Sequence, residues 1–258
     1  MNEENLIKYY NKFNEDKRLT TMHGKVEFLT AMKYIHKYIK PGDKVLDIGA
    51  GTGKYSITLF NEGYDVTSVE LVKHNLRVLQ KNEPNIKAYQ GNALNLKLDD
   101  NSFDIVLLFG PMYHLISFED KLKALEEAKR VCKPNGLIFI SYCMNEYAII
   151  THGFIDNNIN ESIKNKLVDK NFKITPKEDD LYSFVRLKDI NKLNRLSKLK
   201  RVKVINQDGP TEYIKKTINK MDEETFNYYL NYHFKTCELK ELLGSGRHIL
   251  DIVKNKVN

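Results

Sequence analysis

The nine residues Val45–Gly53 constrain this chain more than any other stretch. Four of them, VLDI, lead directly into glycines at positions 49, 51 and 53, which predicts a buried strand followed by a tight turn that opens a helix. Dinucleotide-binding turns have the spacing G-x-G-x-x-G, whereas the third glycine here falls one position early and Lys54 stands in its place. The spacing therefore argues against NAD as the ligand.

A carboxylate follows at the end of the next predicted strand. The β-like run at 64–69 ends in Glu70, seventeen residues after Gly53. A carboxylate at this strand end can accept hydrogen bonds from both hydroxyls of a ribose. The glycine turn and the acid together predict a ligand that contains adenosine.

Residues 44 to about 143 resemble a class I S-adenosylmethionine-dependent methyltransferase. In that family an acid and G-x-G-x-G end the first strand, an acid on the second binds ribose, a polar residue approaches adenine, and the fourth strand carries a loop to the methyl group. The corresponding segments here are Asp47–Gly53, Glu70, Gly91–Ala93 and Phe103–His114. Position 92 is Asn where many relatives have Asp, and its amide oxygen can still accept from the adenine amino group.

The resemblance implies S-adenosylmethionine as the cofactor, S-adenosylhomocysteine as its product, and no metal. It places the glycine turn against the methionine part of the cofactor and the Asp47 carboxylate near its amino group. It also implies an N-terminal lid that closes over the site. The alternative is that the polar residues of this segment form only the solvated surface of a helix. The cofactor-binding residues that it implies are Asp47, Gly49, Ala50, Gly51, Gly53, Glu70, Leu71, Asn92, Ala93 and Phe109, with Tyr10, Arg18 and His23 from the lid.

The loop after the fourth strand, Phe109–His114, bears on the methyl acceptor. Methyltransferases that act on the exocyclic amines of bases usually have Asn, Asp or Ser here, followed by Pro-Pro and an aromatic residue. This chain has Gly110 at the acceptor position, which argues against methylation of a base. His114 is the candidate general base, and its alternative role is to order the loop. Tyr113 is the second catalytic candidate, because its side chain can form a wall of the pocket or position the substrate. The alternative is that it only packs against its neighbours.

The alternation of strand and helix patterns predicts an α/β fold with a doubly wound, mostly parallel sheet. The resemblance implies seven strands. We expect an N-terminal helical lid at 1–40, a cofactor-binding core at 41–143, a helical insertion at 144–180, and the end of the sheet with C-terminal helices at 181–258. Late strands are predicted at 181–187 and 201–205, and a last helix is predicted to begin after Asp222 and end at Gly244.

Composition limits the class of protein and of partner. The three cysteines, Cys132, Cys143 and Cys237, lie far apart, which favours reduced thiols in the cytoplasm over disulfides or a zinc site. The first residues lack a leader pattern and no apolar run is long enough to span a membrane. The net charge is +7, and 186–203 holds eight basic residues against one acid. This segment predicts an amphipathic helix with a solvated face, and nucleic-acid binding is the alternative.

These features predict a methyltransferase that acts on an oxygen or nitrogen of a small molecule. One alternative is an RNA or protein methyltransferase that docks its substrate through 186–203. Another is a non-catalytic protein that binds S-adenosylmethionine or nucleic acid.

Overall fold

The described part of the computed structural model, residues 3–11 and 19–256, contains one seven-stranded sheet in the order β3-β2-β1-β4-β5-β7-β6. Strands β1 to β5 pair in parallel, and β7 is antiparallel to both of its neighbours. The predicted α/β fold with a mostly parallel sheet is confirmed. The strands are β1 Lys44–Ile48, β2 Asp65–Glu70, β3 Lys87–Gln90, β4 Phe103–Leu108, β5 Cys132–Cys143, β6 Lys200–Asn206 and β7 His248–Lys254.

Helices precede, connect and follow these strands. Several begin at a side-chain cap: the Ser117 hydroxyl accepts from the backbone N–H of Asp120, and the Asp222 carboxylate from that of Thr225. No described helix is long and apolar enough to cross a membrane. The α-helices are Glu3–Tyr10, Met22–Tyr38, Lys54–Asn61, Lys73–Asn82, Pro111–His114, Phe118–Val131, Asn145–Ala148, Ile159–Lys164, Leu187–Leu196, Lys215–Ile218 and Glu223–Thr236, with a π-helix at Ile149–Ile155 and a 3₁₀ turn at Lys240–Leu242.

Alternate residues of the central strands supply two hydrophobic cores, one on each face of the sheet. On β4, Val106 and Leu108 belong to one core, and Ile105 and Leu107 to the other. The first core includes helices 118–131 and 187–196, and the second includes helices 22–38, 54–61 and 73–82. Because both faces are covered, most residues of the interior strands are apolar on both faces.

The strand order places the carboxyl ends of β1, β2 and β4 side by side. β1 lies between β2 and β4. The chain continues from β1 to β2 and β3 on one side, and then crosses to β4 on the other side. Open α/β sheets bind ligands at such a switch point, beyond the carboxyl ends of the strands. The predicted ligand-binding segments converge at this edge.

The predicted strand at 181–187 is wrong. This segment makes only an isolated bridge, between Val185 and Met144, and its backbone is tied to the loop after β4, where Ser183 N–H donates to Tyr113 O at 2.8 Å. The strand that lies between β5 and β6 is β7, His248–Lys254, which the sequence interpretation had left in the C-terminal tail. The late strand predicted at 201–205 is confirmed as β6.

Two details of the C-terminal helices also differ from expectation. The last helix begins after Asp222 as predicted but ends at Thr236, before Gly244, because the chain turns at Cys237. In the basic segment the helix spans Leu187–Leu196 and buries Ile190 and Leu193, whereas Leu196, predicted on the same face, is 47% exposed.

An ion pair at the centre of β7 fixes the late strands. Asp251, which is fully buried, accepts two hydrogen bonds from the guanidinium of Arg201 on β6, at 2.6 and 2.9 Å. It also accepts one from the Asn194 amide at 2.6 Å, which connects helix 187–196 to the same carboxylate. A bidentate arginine with a further donor compensates for the loss of hydration of the buried charge.

Arg201→Met leaves the Asp251 carboxylate buried without its cation, so we expect it to lower the free energy of unfolding by about 3–5 kcal/mol. Lys203→Met is the matched control on the same strand, because Lys203 pairs with the 40% exposed Glu238 side chain. That change should cost at most about 1 kcal/mol. Urea denaturation of both variants measures the difference, and equal losses would contradict the role assigned to Asp251.

Candidate functional site

A cavity with an empty volume of about 990 Å³ opens at the carboxyl ends of β1, β2 and β4. We call it the strand-end cavity. Twelve of the predicted site residues line it, namely Tyr10, Asp47, Gly49, Ala50, Gly51, Glu70, Leu71, Asn92, Ala93, Phe109, Tyr113 and His114.

Glu70 is held by the backbone around it. One carboxylate oxygen accepts from the N–H of Gly51 at 2.8 Å, and the other accepts from the N–H of Val72, also at 2.8 Å. The Asn75 side chain donates a further hydrogen bond. Since each carboxylate oxygen has two lone pairs, the group stays able to accept from hydroxyls in the cavity. The glycine turn and the start of helix 73–82 therefore fix the acid at the end of β2.

Burial changes the acidity of both carboxyl groups at this edge. Glu70 is 5% exposed, and burial raises its pKa to about 7, with a smaller rise from Asp47 and opposing effects from the hydrogen bonds of Val72 and Gly51. Burial also raises the pKa of Asp47 to about 6, against the lowering effect of Ser56, whose hydroxyl donates to it at 2.6 Å. The charge of the cavity therefore changes near neutral pH.

The glycine turn is closed by hydrogen bonds of its own backbone. The N–H groups of Gly49 and Ala50 both donate to Val69 O, and that of Gly51 donates to Glu70. Gly49 has a φ of +76°, and a Cβ there would lie 2.7 Å from the ring of Pro111. The turn therefore shapes the cavity by holding Glu70 and by letting the loop after β4 pack against it.

Three predicted residues fall outside the strand-end cavity or outside the described residues. Gly53 packs against helix 73–82, where a Cβ would lie 2.7 Å from the Leu79 side chain, so it lets the start of helix 54–61 approach that helix. The His23 ring makes a 3.0 Å hydrogen bond to Asn219 and does not line the cavity, which removes it from the expected set. Arg18 lies outside the described residues.

Asn92 and Ala93 line the cavity beyond β3. The Asn92 side-chain oxygen accepts from the N–H of Leu94 at 2.8 Å, which fixes the orientation of the amide. This oxygen retains a second lone pair, and the amide NH₂ supplies donors. The geometry is compatible with recognition of a base edge.

His114 has a defined tautomer. Its Nδ1 lies 2.9 Å from the Leu181 carbonyl oxygen, which can only accept, so Nδ1 carries the hydrogen. In the neutral ring Nε2 is then the basic atom, and it lies 2.9 Å from the Tyr10 hydroxyl, which donates to it. The histidine is 5% exposed and lines the cavity.

Tyrosine rings surround the imidazole of His114. The ring centroids of Tyr113, Tyr182 and Tyr10 lie 4.8, 5.1 and 5.5 Å from that of His114. Tyr113 therefore contacts the candidate base as well as the cavity. The electron-rich ring faces form a site that favours apolar or cationic groups over anions.

Several lining or supporting residues were missed from the sequence. Asn75 and Tyr182 carry no motif, and only the fold brings them to Glu70 and His114. Glu27 lines the cavity and is 8% exposed, and its signal was an acid inside the apolar stripe of helix 22–38. Tyr55 lines the cavity and packs on Phe109 with ring centroids 4.7 Å apart.

The donors and acceptors of the strand-end cavity fit S-adenosylmethionine. Glu70 offers carboxylate oxygens at the end of β2, Asn92 offers an amide, and Asp47 and Glu70 favour a cationic ligand. In the described part of the chain, no three side chains of His, Cys, Asp or Glu are grouped to hold a metal ion.

A family model described as a methyltransferase domain matches residues 46–140. A demethylmenaquinone methyltransferase of Paenarthrobacter aurescens is 39% identical over 104 residues, which are 40% of this chain and 40% of that protein. An eEF1A lysine and N-terminal methyltransferase homolog of Drosophila melanogaster is 30% identical over 117 residues, 43% of this chain and 17% of that protein. The matches thus span less than half of these relatives.

The fold is shared over nearly the whole chain. A SAM-dependent methyltransferase from Thermotoga maritima, described as a possible histamine N-methyltransferase, matches with a TM-score of 0.60 at 20% identity and covers 96% of this chain and 98% of that one. Residues 46–140 therefore match the methyltransferase-domain family, and the chain has the class I methyltransferase fold.

Proposed function

We propose that this protein transfers a methyl group from S-adenosylmethionine to an oxygen or nitrogen of a small molecule. The observation that carries the proposal is the Glu70 carboxylate, fixed by backbone N–H groups in a cavity that is also lined by the candidate base, His114. One end of the cavity suits an adenosine ligand, and the other can accept a proton.

The residues at the strand ends would hold the cofactor. Glu70 would accept hydrogen bonds from the ribose hydroxyls, and Asn92 would lie next to the adenine. The Asp47 carboxylate would attract the amino group of the methionine part. When bound, S-adenosylmethionine supplies a methyl group already activated on a sulfonium. The protein then needs to orient the acceptor, exclude water and remove a proton where the acceptor carries one.

His114 and Tyr10 are arranged to accept that proton. With Nδ1–H bonded to Leu181 O, the lone pair of His114 Nε2 receives the hydrogen bond of the Tyr10 hydroxyl. A proton from the acceptor passes to the Tyr10 hydroxyl oxygen, which gives its own proton to Nε2 in the same step. Tyr113 packs edge-on against the imidazole and confines the acceptor to the same end.

The basic segment 186–203 gives less support to a nucleic-acid substrate. Three of its eight cations are paired with carboxylates of the protein: Arg186 with Glu146, Arg201 with Asp251, and Lys203 with Glu238. These cations serve the fold. Of the other five, Lys188, Lys192 and Arg195 lie on the solvated face of helix 187–196, and Lys198 and Lys200 are exposed after it.

The matched relatives are compatible with a small acceptor but do not select one. One is named for demethylmenaquinone and another for eEF1A lysine, and each match covers less than half of this chain.

Cofactor affinity should rise with pH, because Glu70 accepts from hydroxyls as a carboxylate. With a pKa of about 7 it is mostly protonated at pH 6 and mostly ionised at pH 8, which contributes about tenfold, and Asp47, with a pKa of about 6, contributes about twofold, so S-adenosylhomocysteine should bind about twentyfold more tightly at pH 8. Glu70→Gln should weaken binding at pH 8 and reduce the pH effect to about twofold, the share left to Asp47. Isothermal titration calorimetry at both pH values measures these affinities.

Asp65→Asn, at the opposite end of β2, is the matched control and should keep the wild-type profile. Thermal unfolding verifies that Glu70→Gln is folded, since it leaves one backbone N–H without its carboxylate. A folded Glu70→Gln variant with wild-type affinity at both pH values would refute the assignment of this acid to the ligand.

Methyl transfer itself is tested by release of S-adenosylhomocysteine over a panel of small amines, alcohols and phenols, with RNA and protein as comparison substrates. The variant His114→Asn separates the two roles of the histidine, because the Asn amide can donate to Leu181 O but cannot replace Nε2. We expect unchanged folding and cofactor affinity with a kcat lowered at least about a hundredfold.

The exposed His36 supplies the control variant His36→Asn, which should be fully active. Wild-type kcat in His114→Asn would reduce the histidine to a loop-ordering role. Turnover on RNA or protein alone would contradict the small-molecule proposal.

A further inference from the structure

A second cavity, with an empty volume of about 1130 Å³, is lined by residues of the insertion and of the segment just after it, from Tyr147 to Phe184 in the sequence. We call it the insertion cavity. The π-helix Ile149–Ile155 forms part of its wall, together with the short helix Ile159–Lys164 and the loops that follow. π-Helical turns are rare and are frequently found at functional sites.

The lining of the insertion cavity is apolar, and the fold does not use it. None of its ten aliphatic or aromatic side chains belongs to a hydrophobic core formed by the described residues. Apolar side chains that face a concave surface rather than a core are typical of small-molecule sites. The ten are Tyr147, Ala148, Ile149, Ile159, Leu167, Val168, Ile174, Leu181, Tyr182 and Phe184.

The charges around the insertion cavity exclude an anionic occupant. Among its described lining residues there is no lysine or arginine, although the whole chain has a net charge of +7. The titratable groups that line it are His152, Asp180, Tyr147 and Tyr182. A phosphate or carboxylate would find no cation there, so the lining suits an uncharged, apolar molecule.

The insertion cavity shares a wall with the candidate active site. Leu181 lines it, and the carbonyl of the same residue receives the His114 Nδ1–H hydrogen bond at 2.9 Å. Tyr182 also lines it, and its ring stands 5.1 Å from the His114 ring and 6.1 Å from the Tyr113 ring. A molecule in the insertion cavity therefore contacts the residues that orient the candidate base.

This wall is fixed to the loop after β4. The Ser183 hydroxyl donates to Leu115 O at 2.9 Å, and the buried Lys121 ammonium donates to Ser183 Oγ at 2.7 Å. The segment 181–185 therefore keeps a defined position relative to Tyr113 and His114.

We propose that the insertion cavity binds an apolar, uncharged small molecule, which lies against the wall formed by Leu181 and Tyr182 beside His114. The inference goes beyond the proposed function, because the insertion cavity shares no lining residue with the strand-end cavity. It names a ligand class: an apolar molecule without an anionic group, in place of a nucleotide, a phosphate ester or a carboxylic acid.

Binding of N-phenyl-1-naphthylamine, an uncharged probe that fluoresces in apolar surroundings, tests this on the full chain. Ile159→Asp places a charge in the lining and should weaken probe binding at least about tenfold. Ser162→Trp, which fills the cavity without adding charge, should have the same effect. Ile163→Asp is the matched control, since Ile163 lies on the same helix, is 49% exposed and does not line the cavity.

Two further readouts identify the occupant and its position. 1-Octanol should displace the probe at concentrations at which octanoate does not, because only octanoate carries a charge. In NMR spectra the probe should shift the ring signals of His114, which contacts Tyr182, and leave those of His36 unchanged.

S-Adenosylhomocysteine calorimetry separates the two levels of the proposal. All three variants should bind this ligand with wild-type affinity, since they lie outside the strand-end cavity. Suppose that S-adenosylhomocysteine binds. The inference about the insertion cavity is then overturned, while the methyltransferase proposal stands, if the probe does not bind, binds all variants equally, is displaced equally by octanoate or leaves the His114 signals unshifted. If S-adenosylhomocysteine does not bind the wild type, the proposed function fails.

Discussion

The candidate site depends on one buried carboxylate that joins three pieces of backbone. Glu70 lies at the end of β2, and its oxygens accept from the N–H of Gly51, in the turn after β1, and from the N–H of Val72, just before helix 73–82. Gly51 reaches the acid because the turn runs through backbone angles that favour glycine, with φ of +76°, +58° and +93° at residues 49, 51 and 53. The same contacts that close the turn also leave the acid facing the cavity.

The acceptor end of the site depends on packing between loops rather than on a sequence motif. The ring of Pro111 occupies the space that a side chain at Gly49 would fill, so the turn after β1 and the loop after β4 touch directly. The other side of that loop is held by Ser183 and Lys121, and His114 is oriented by Leu181. The insertion thereby positions the candidate base and also forms the wall between the two cavities.

Local patterns predicted the strand–helix alternation, the strand and turn at 45–53 and the acid that ends β2, because each depends on a short apolar run or on a strand end. The family resemblance implied most of the other residues that line the strand-end cavity. The pattern failed where pairing is remote. β7 is a good apolar run, but it pairs with β5, more than a hundred residues earlier, and with β6, and nothing nearby in the sequence reveals these partners. Asn75 and Tyr182 were missed for the same reason, since their partners are set by the fold. His23 was chosen from its position in the lid, and the structure directs its ring to Asn219.

The central claim is that Glu70 binds the ribose of an adenosyl ligand in the strand-end cavity. A crystal structure of the protein with S-adenosylhomocysteine tests it most directly. The account predicts both ribose hydroxyls within hydrogen-bond distance of the Glu70 carboxylate, the adenine next to Asn92, and the sulfur directed towards Tyr113 and His114. A ribose bound away from Glu70, or a cavity that stays empty at saturating ligand, would contradict it.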